Sequence, residues 1–187
     1  FSGGKDSLVA CINADVKEVI YCNTGVGLNF EYVLKMANKM KWKLHVLHPA
    51  KGHTFEDFVK KFSFPHPFLH GAVMRYLKTD PIKKWVRQQE DDIILVSGRR
   101  KSESKRREKM PMKIRERKDQ LEFFSPIMEW TTKEVFDFIE TNKLELSPIM
   151  KTMHMSGDCF CGAFSRRGET FLLKIFHKDL AKRLEDL

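Results

Sequence analysis

Cysteine is scarce in this chain, and its four cysteines do not form the pattern of a disulfide framework. Cys11 and Cys22 are isolated, while a single residue separates Cys159 from Cys161. Secreted domains that depend on disulfides are dense in cysteine. The sequence therefore excludes a disulfide-stapled secreted domain, and we expect a reducing, cytoplasmic location.

Long apolar runs, internal repeats and low-complexity linkers are also missing. No stretch approaches the roughly 20 apolar residues that a membrane-spanning helix needs, so we expect no membrane span. With 187 residues, the chain is long enough to bury a core without structural disulfides or metals. We predict one domain over residues 1–187, of which residues 126–187 form a helical C-terminal part.

An initial methionine is missing as well. Phe1 stands directly before a glycine-rich segment of the kind that follows a buried strand. We therefore expect the natural protein to begin upstream of Phe1.

Positive charge exceeds negative charge, with 34 Lys and Arg residues against 25 Asp and Glu residues and a net charge of +9. Such a surplus suits an anionic partner, for example a nucleotide, a nucleic acid or an acidic protein. Charge alone does not choose among these partners.

Short runs rich in Val, Ile and Leu alternate with segments of helical spacing. We predict strands over residues 17–22, 43–47 and 92–97, and helices over residues 30–40 and 79–89. This alternation predicts an α/β fold with a doubly wound, mainly parallel sheet of Rossmann-like type, followed by a C-terminal helical and loop extension. Ligands of such sheets bind beyond the carboxyl ends of the strands, so the functional residues should follow the strands.

The first such segment is a glycine loop that precedes an amphipathic stretch. It consists of Ser2, Gly3, Gly4, Lys5, Asp6 and Ser7. Glycines at a strand-to-helix turn let backbone N–H groups converge on an anion, and hydroxyl and ammonium groups add donors. Asp6 could cap the helix or help to hold phosphate-bound Mg²⁺. The loop lacks the Gly-Lys-Ser/Thr ending of a Walker A motif. The alternative interpretation is a tight turn without a ligand.

SGGKDS resembles the PP-loop of the adenine-nucleotide α-hydrolase superfamily, and a second segment narrows the resemblance. Residues 97–107, SGRRKSESKRR, are similar to the Gly-x-Arg-x-x-Glu-Ser-x-x-Arg pattern of the phosphoadenosine phosphosulfate (PAPS) reductase family. The matching residues are Gly98, Arg100, Glu103, Ser104 and Arg107. Two arginine forks suit phosphate or sulfate oxygens, Glu103 could orient one of them, and Ser104 can donate to an oxyanion. A solvated basic helix start is the alternative.

Weaker matches extend the resemblance to about residue 161. The family's Asp-Thr-Gly after the second strand corresponds to Asn23, Thr24 and Gly25, with Asn in place of Asp. Lys78 resembles the lysine of the family's Cys-Cys-x-x-Lys-x-x-Pro stretch, whose cysteine pair is missing here. The resemblance implies that these residues bind the nucleotide.

Cys159 and Cys161 fall where family members often carry Gly-Cys-x-x-Cys. Three interpretations stay open, namely a redox or metal site, a loop that covers the nucleotide, and no chemical role. An iron–sulfur cluster needs four ligands, so it would require Cys11 and Cys22 or another subunit of a homo-oligomer. Zinc is the other metal considered.

The resemblance implies an enzyme of sulfur metabolism that binds ATP, PAPS or adenylyl sulfate and acts at the α-phosphate or sulfate. Lys5, Arg100 and Arg107 would stabilise the developing charge, with Mg²⁺ near Asp6 in the ATP version. In the reductase version a thiolate of Cys159 or Cys161 would attack the sulfur of PAPS, and a thioredoxin-like thiol reductant would be a partner. The intact SGGKDS loop favours ATP.

Two other function classes remain. The segment of residues 99–118 is crowded with Lys and Arg, which suits an RNA-modifying or nucleic-acid-binding protein, although interleaved acids dilute its field. A nucleotide-binding regulator without activity is the third hypothesis, and Asn23 together with the missing cysteine pair is its support.

Overall fold

The computed structural model describes residues 1–116, 121–158, 160–165 and 168–187. Its strands are β1 (Glu18–Cys22), β2 (Lys43–Leu47), β3 (Ile93–Val96), β4 (Lys113–Glu116) and β5 (Leu121–Phe124). Its α-helices are α1 (Lys5–Asn13), α2 (Phe30–Met40), α3 (Phe55–Phe62), α4 (His70–Met74), α5 (Asp80–Val86), α6 (Lys105–Glu108), α7 (Thr132–Thr141), α8 (Pro148–Met153), α9 (Glu169–Phe176) and α10 (Lys178–Glu185). Two 3₁₀ turns, Pro67–Leu69 and Lys101–Glu103, and a π-helical turn, Arg75–Thr79, complete the described elements.

The strands pair mainly in parallel. β1 pairs with β2, and β3 pairs with β5, both in parallel, while β4 runs antiparallel along the other edge of β5. The predicted α/β class with a mainly parallel sheet is therefore confirmed. The three predicted strands are also found, each within one residue of its predicted ends.

The antiparallel pair of β4 and β5 was not predicted. β4 reads KIRE, so a single apolar residue, Ile114, stands among three charged ones. A strand of this composition forms because its backbone pairs with β5, where Ile114 lies opposite Phe123. Strand preference depends on such neighbours more than on the residues of the strand itself.

Amphipathic helices hold α1 against the sheet. α2 buries Tyr32, Val33, Met36 and Ala37, which recur at helical spacing, and leaves the opposite side exposed. Three of them, Tyr32, Met36 and Ala37, form one core cluster with Leu8 of α1 and with β1. Burial of each large apolar side chain stabilises the fold by about 1.5–3 kcal/mol. The first turn of α1 is therefore fixed relative to the strands.

The C-terminal helices pack on a second core cluster. Phe55 and Phe58 of α3 share it with Ile149 of α8, Leu173 of α9 and Leu180 of α10. The carbonyl of Gly157, which follows α8, accepts a backbone hydrogen bond from the segment after β1. Among the described helices, none is both long enough and apolar enough to cross a membrane.

A cavity of about 500 Å³ lies between β1 and β3, and residues 17–20 and 92–97 line it. Within the described residues, β1 pairs only with β2 and β3 only with β5. The amino group of Phe1 lies at this cavity and donates to the carbonyl of Ile20 at 2.6 Å. Ile94 is 58% exposed, although the apolar run IILV is typical of a strand buried on both faces. The geometry therefore predicts room for one more parallel strand.

Extension of the chain before Phe1 by five β-branched apolar residues tests this prediction. Because the added strand would pair with β1 and β3 and cover apolar side chains, we expect the melting temperature to rise by at least about 5 °C. A matched extension with proline at its second and fourth positions cannot donate the ladder hydrogen bonds. Equal melting temperatures for both extensions would contradict the prediction.

Candidate functional site

Three segments from distant parts of the chain meet at a cavity of about 590 Å³. Its walls are formed by the glycine loop, the loop after β3 and the segment that follows α8. The lining residues are Ser2, Gly4, Lys5, Asp6, Ser7, Gly98, Arg99, Glu103, Arg107, Met150, His154, Met155, Ser156 and Phe164. Most of the predicted residues of the glycine loop and of the loop after β3 are thus brought together.

The first turn of α1 opens into this cavity. The first intrahelical hydrogen bond runs from the Leu8 N–H to the Gly4 carbonyl at 3.0 Å, so the N–H groups of Lys5, Asp6 and Ser7 precede it. No described side chain caps them. Unpaired first-turn N–H groups and the partial positive charge of the helix end attract anions. The first-turn N–H groups are therefore available at the cavity, and anion binding by them stays a prediction.

Two glycines allow the close packing of this first turn. Gly3 has φ of 84°, and a Cβ there would lie 2.7 Å from the Asn29 side chain. A Cβ on Gly98 would lie 2.5 Å from the Ser7 nitrogen. Gly98 thus lets the loop after β3 touch α1, rather than supplying the left-handed turn for which glycine is usually needed.

Asp6 is held between two cations. Its Oδ1 accepts from Arg100 Nε at 2.7 Å, and its Oδ2 accepts from Lys5 Nζ at 2.7 Å. Each carboxylate oxygen thus pairs with a cation, and a role for Asp6 in holding phosphate-bound Mg²⁺ stays a prediction. Within the described part of the chain, no group of three or more His, Cys, Asp and Glu side chains is arranged to hold a metal ion.

Arg100 is directed into the protein rather than into the cavity. The residue is 3% exposed, and its Nη1 donates to Ser102 Oγ at 2.8 Å and to Thr132 Oγ1 at 3.2 Å. A contact of 3.4 Å joins Nη1 to the carbonyl of Trp130. Arg100 thus connects the glycine loop to the start of α7, whereas the sequence predicted a fork for phosphate oxygens.

Glu103 contacts both predicted arginines. It accepts from the backbone N–H of Arg100 at 2.9 Å and forms an ion pair with Arg107 Nη1. Arg107 and Glu103 line the cavity, while Ser104 is exposed and lies outside its lining. The loop after β3 therefore brings an arginine–glutamate pair to the cavity.

The predicted residues after β1 lie outside the cavity lining, beneath the C-terminal segment. Thr24 is buried, and Lys78 forms an ion pair with Asp158. Two backbone hydrogen bonds join the following residues to the C-terminal segment. The Leu28 N–H donates to the Gly157 carbonyl at 2.9 Å, and the Phe160 N–H donates to the Val26 carbonyl at 2.8 Å. Asn23 Oδ1 accepts from the Gly25 N–H at 3.2 Å, a hydrogen bond within the same turn. Of the second predicted loop, Thr24 is thus buried, whereas Asn23 is half-buried and Gly25 is exposed.

The described thiols are buried. Cys11, Cys22 and Cys161 all have little exposed surface, and Cys11 and Cys161 belong to different core clusters. Burial raises the pKa of Cys22 to about 11, so its thiol is neutral at neutral pH. A nucleophilic cysteine is usually accessible and has a lowered pKa. Cys159, for which a redox, metal or nucleophilic role was predicted, lies outside the described residues.

Asn29 is a site residue that the sequence pattern did not indicate. It is fully buried, and its Nδ2 donates to the Ser2 carbonyl at 3.0 Å and to the Ser156 carbonyl. Its Oδ1 accepts from Ser147 Oγ at 2.6 Å. One amide thus ties the glycine loop to two C-terminal segments. In the sequence, Asn29 was marked only by its position directly before the helix predicted over residues 30–40.

Replacement of Asn29 by alanine leaves buried carbonyl and hydroxyl groups without their partner. Since each unsatisfied buried polar group costs about 1–3 kcal/mol, we expect Asn29→Ala to lower the free energy of unfolding by at least about 2 kcal/mol in urea titrations. Asn142→Ala is the matched control, because Asn142 is exposed and its side-chain amide donates to the Phe138 carbonyl of the adjoining helix. Equal losses in both variants would contradict the role assigned to Asn29.

Comparison with known proteins agrees with this geometry. No curated relative matches the chain. Among solved structures, the PAPS reductase of Candida auris, determined as a phosphate complex, is similar at a TM-score of 0.59 and 18% identity, over 81% of this chain and 74% of that chain. This likeness shows the fold. The sequence model of the phosphoadenosine phosphosulfate reductase domain matches residues 1–161, most of the chain. The chain therefore belongs to the PAPS reductase family.

Proposed function

We propose that this chain is an enzyme that binds an adenine nucleotide by its phosphate or sulfate groups and acts at the α-phosphate or sulfate. ATP, PAPS and adenylyl sulfate are the candidate nucleotides. The observation that carries the proposal is the uncapped first turn of α1, which opens into a cavity also lined by Lys5, Arg99 and Arg107. Family membership supports a nucleotide as the source of the anion.

The contacts of Asp6 suggest how Lys5 would reach a ligand. Lys5 Nζ is bound to Asp6 and lies 5.9 Å from the centre of the Phe136 ring. Because Arg100 also pairs with Asp6, Lys5 can leave the Asp6 carboxylate and bind a phosphate oxygen while Asp6 remains paired. Cations and N–H groups that are already in place stabilise charge as it develops in a transition state.

Cleavage at the α-phosphate of ATP is the first version of the reaction. The intact SGGKDS loop and the burial of the described thiols support it, because no thiol is needed to displace pyrophosphate. Sulfonucleotide reduction is the second version, which the family match favours. It needs an accessible thiolate and a thiol reductant, for which a thioredoxin-like protein is the proposed partner.

The basic segment after β3 gives less support to a nucleic-acid partner. Several of its cations pair within the protein, namely Arg100 with Asp6, Arg107 with Glu103, Lys101 with Glu129 and Lys113 with Glu122. Internal pairing lowers the positive field that a nucleic-acid backbone would meet. A small anionic ligand in the cavity is therefore the better account of the surplus charge.

Calorimetric titration with Mg²⁺-ATP and, separately, with PAPS tests the proposal. We expect at least one of them to bind, and Lys5→Ala to weaken that binding by about tenfold or more, because a charge-assisted contact is lost. Lys17→Ala is the matched control, since Lys17 is exposed and pairs only with Asp15. Its affinity should equal that of the unaltered protein.

The products then separate the two versions of the reaction. Release of pyrophosphate from ATP in the presence of an acceptor supports the first version, whereas release of sulfite from PAPS with a dithiol supports the second. Failure of both nucleotides to bind would refute the proposed function.

A further inference from the structure

The cations at the cavity differ in whether an acid already neutralises them. Lys5 is paired with Asp6 at 2.7 Å, and Arg107 is paired with Glu103. Arg99 also lines the cavity but forms no ion pair with any described carboxylate. It is thus the cavity cation whose charge is left uncompensated among the described residues.

The Arg99 side chain is nevertheless held in place. Its Nε donates to Ser97 Oγ at 3.0 Å and to Ser125 Oγ at 3.2 Å, and these two hydroxyls lie 2.8 Å apart. The centre of its guanidinium lies 5.5 Å from the centre of the Phe123 ring, a cation–π contact. Bonds at Nε and a ring at its side fix the plane of the guanidinium.

One end of this guanidinium lacks a partner within the described part of the chain. Arg99 Nη2 is buried and makes no hydrogen bond to any residue there. Buried donors are nearly always satisfied, so an unpartnered one calls for an explanation. Burial, together with the charge of Arg107, lowers the pKa of Arg99. A bound anion in the cavity would offset the two like charges and would offer Arg99 an acceptor that the described residues do not supply.

We propose that Arg99 binds a phosphate or sulfate oxygen of the ligand in this cavity. The inference rests on the proposed function and assigns to Arg99 the part that the sequence predicted for Arg100. A planar guanidinium held at Nε presents its outer N–H groups in a fixed direction, which suits tetrahedral oxyanions. Arg100 acts instead as the positioning residue that holds Asp6.

Three variants test the proposal by calorimetry with the better of Mg²⁺-ATP and PAPS, and with adenosine. Arg99→Gln removes the charge, and we expect it to weaken nucleotide binding by about tenfold or more. Arg99→Lys keeps a point charge without the fork and should restore part of that loss. Arg115→Gln makes the same charge change at an exposed position on β4 and should leave the affinity unaltered.

Adenosine separates a direct contact from a structural effect. Because adenosine carries no phosphate, the proposal expects Arg99→Gln and the unaltered protein to bind it equally. An equal loss of affinity for adenosine would overturn the proposal. So would unchanged nucleotide binding by Arg99→Gln while Lys5→Ala loses it, a result that leaves the proposed function standing. Absence of nucleotide binding by the unaltered protein would refute both.

Discussion

The ion pair between Arg100 and Asp6 is the contact on which the site depends. Arg100 comes from the loop after β3, Asp6 from the first turn of α1, and the same guanidinium reaches Thr132 at the start of α7. Because Arg100 is 3% exposed and Asp6 is its carboxylate partner among the described residues, loss of Asp6 would leave the guanidinium without compensation, at a cost of about 3–5 kcal/mol. The pair fixes the distance between the glycine loop and the loop after β3, which form two of the walls of the cavity.

This arrangement divides the charges of the site by task. Asp6 and Glu103 neutralise the cations that shape the loops, while the first-turn N–H groups of α1 and the guanidinium of Arg99 keep unused hydrogen-bonding capacity. Asn29 adds a neutral link to the C-terminal segment. A rigid frame of internally paired charges therefore surrounds a few groups that can accept an anion, which is the condition for preorganised binding.

Local patterns predicted much of this structure, and long-range contacts explain the rest. The strands and the glycine loop follow from short apolar runs and from adjacent residues, so they could be read directly. The burial of Arg100 could not be predicted, because two of its acceptors, Trp130 and Thr132, come 30 and 32 residues later in the sequence. The partners of Asn29 at Ser147 and Ser156 are more than 100 residues away in sequence. The pattern of basic residues likewise did not indicate that Arg99 lines the cavity while Arg100 is buried.

A crystal structure of the protein with its bound nucleotide tests the central claim most directly, which is that the first turn of α1 and Arg99 receive the anionic end of an adenine nucleotide. The account predicts a phosphate or sulfate within hydrogen-bonding distance of the N–H groups of Lys5 to Ser7 and of the Arg99 guanidinium, with Arg100 still bound to Asp6. A nucleotide held elsewhere, with this cavity unchanged, would contradict it.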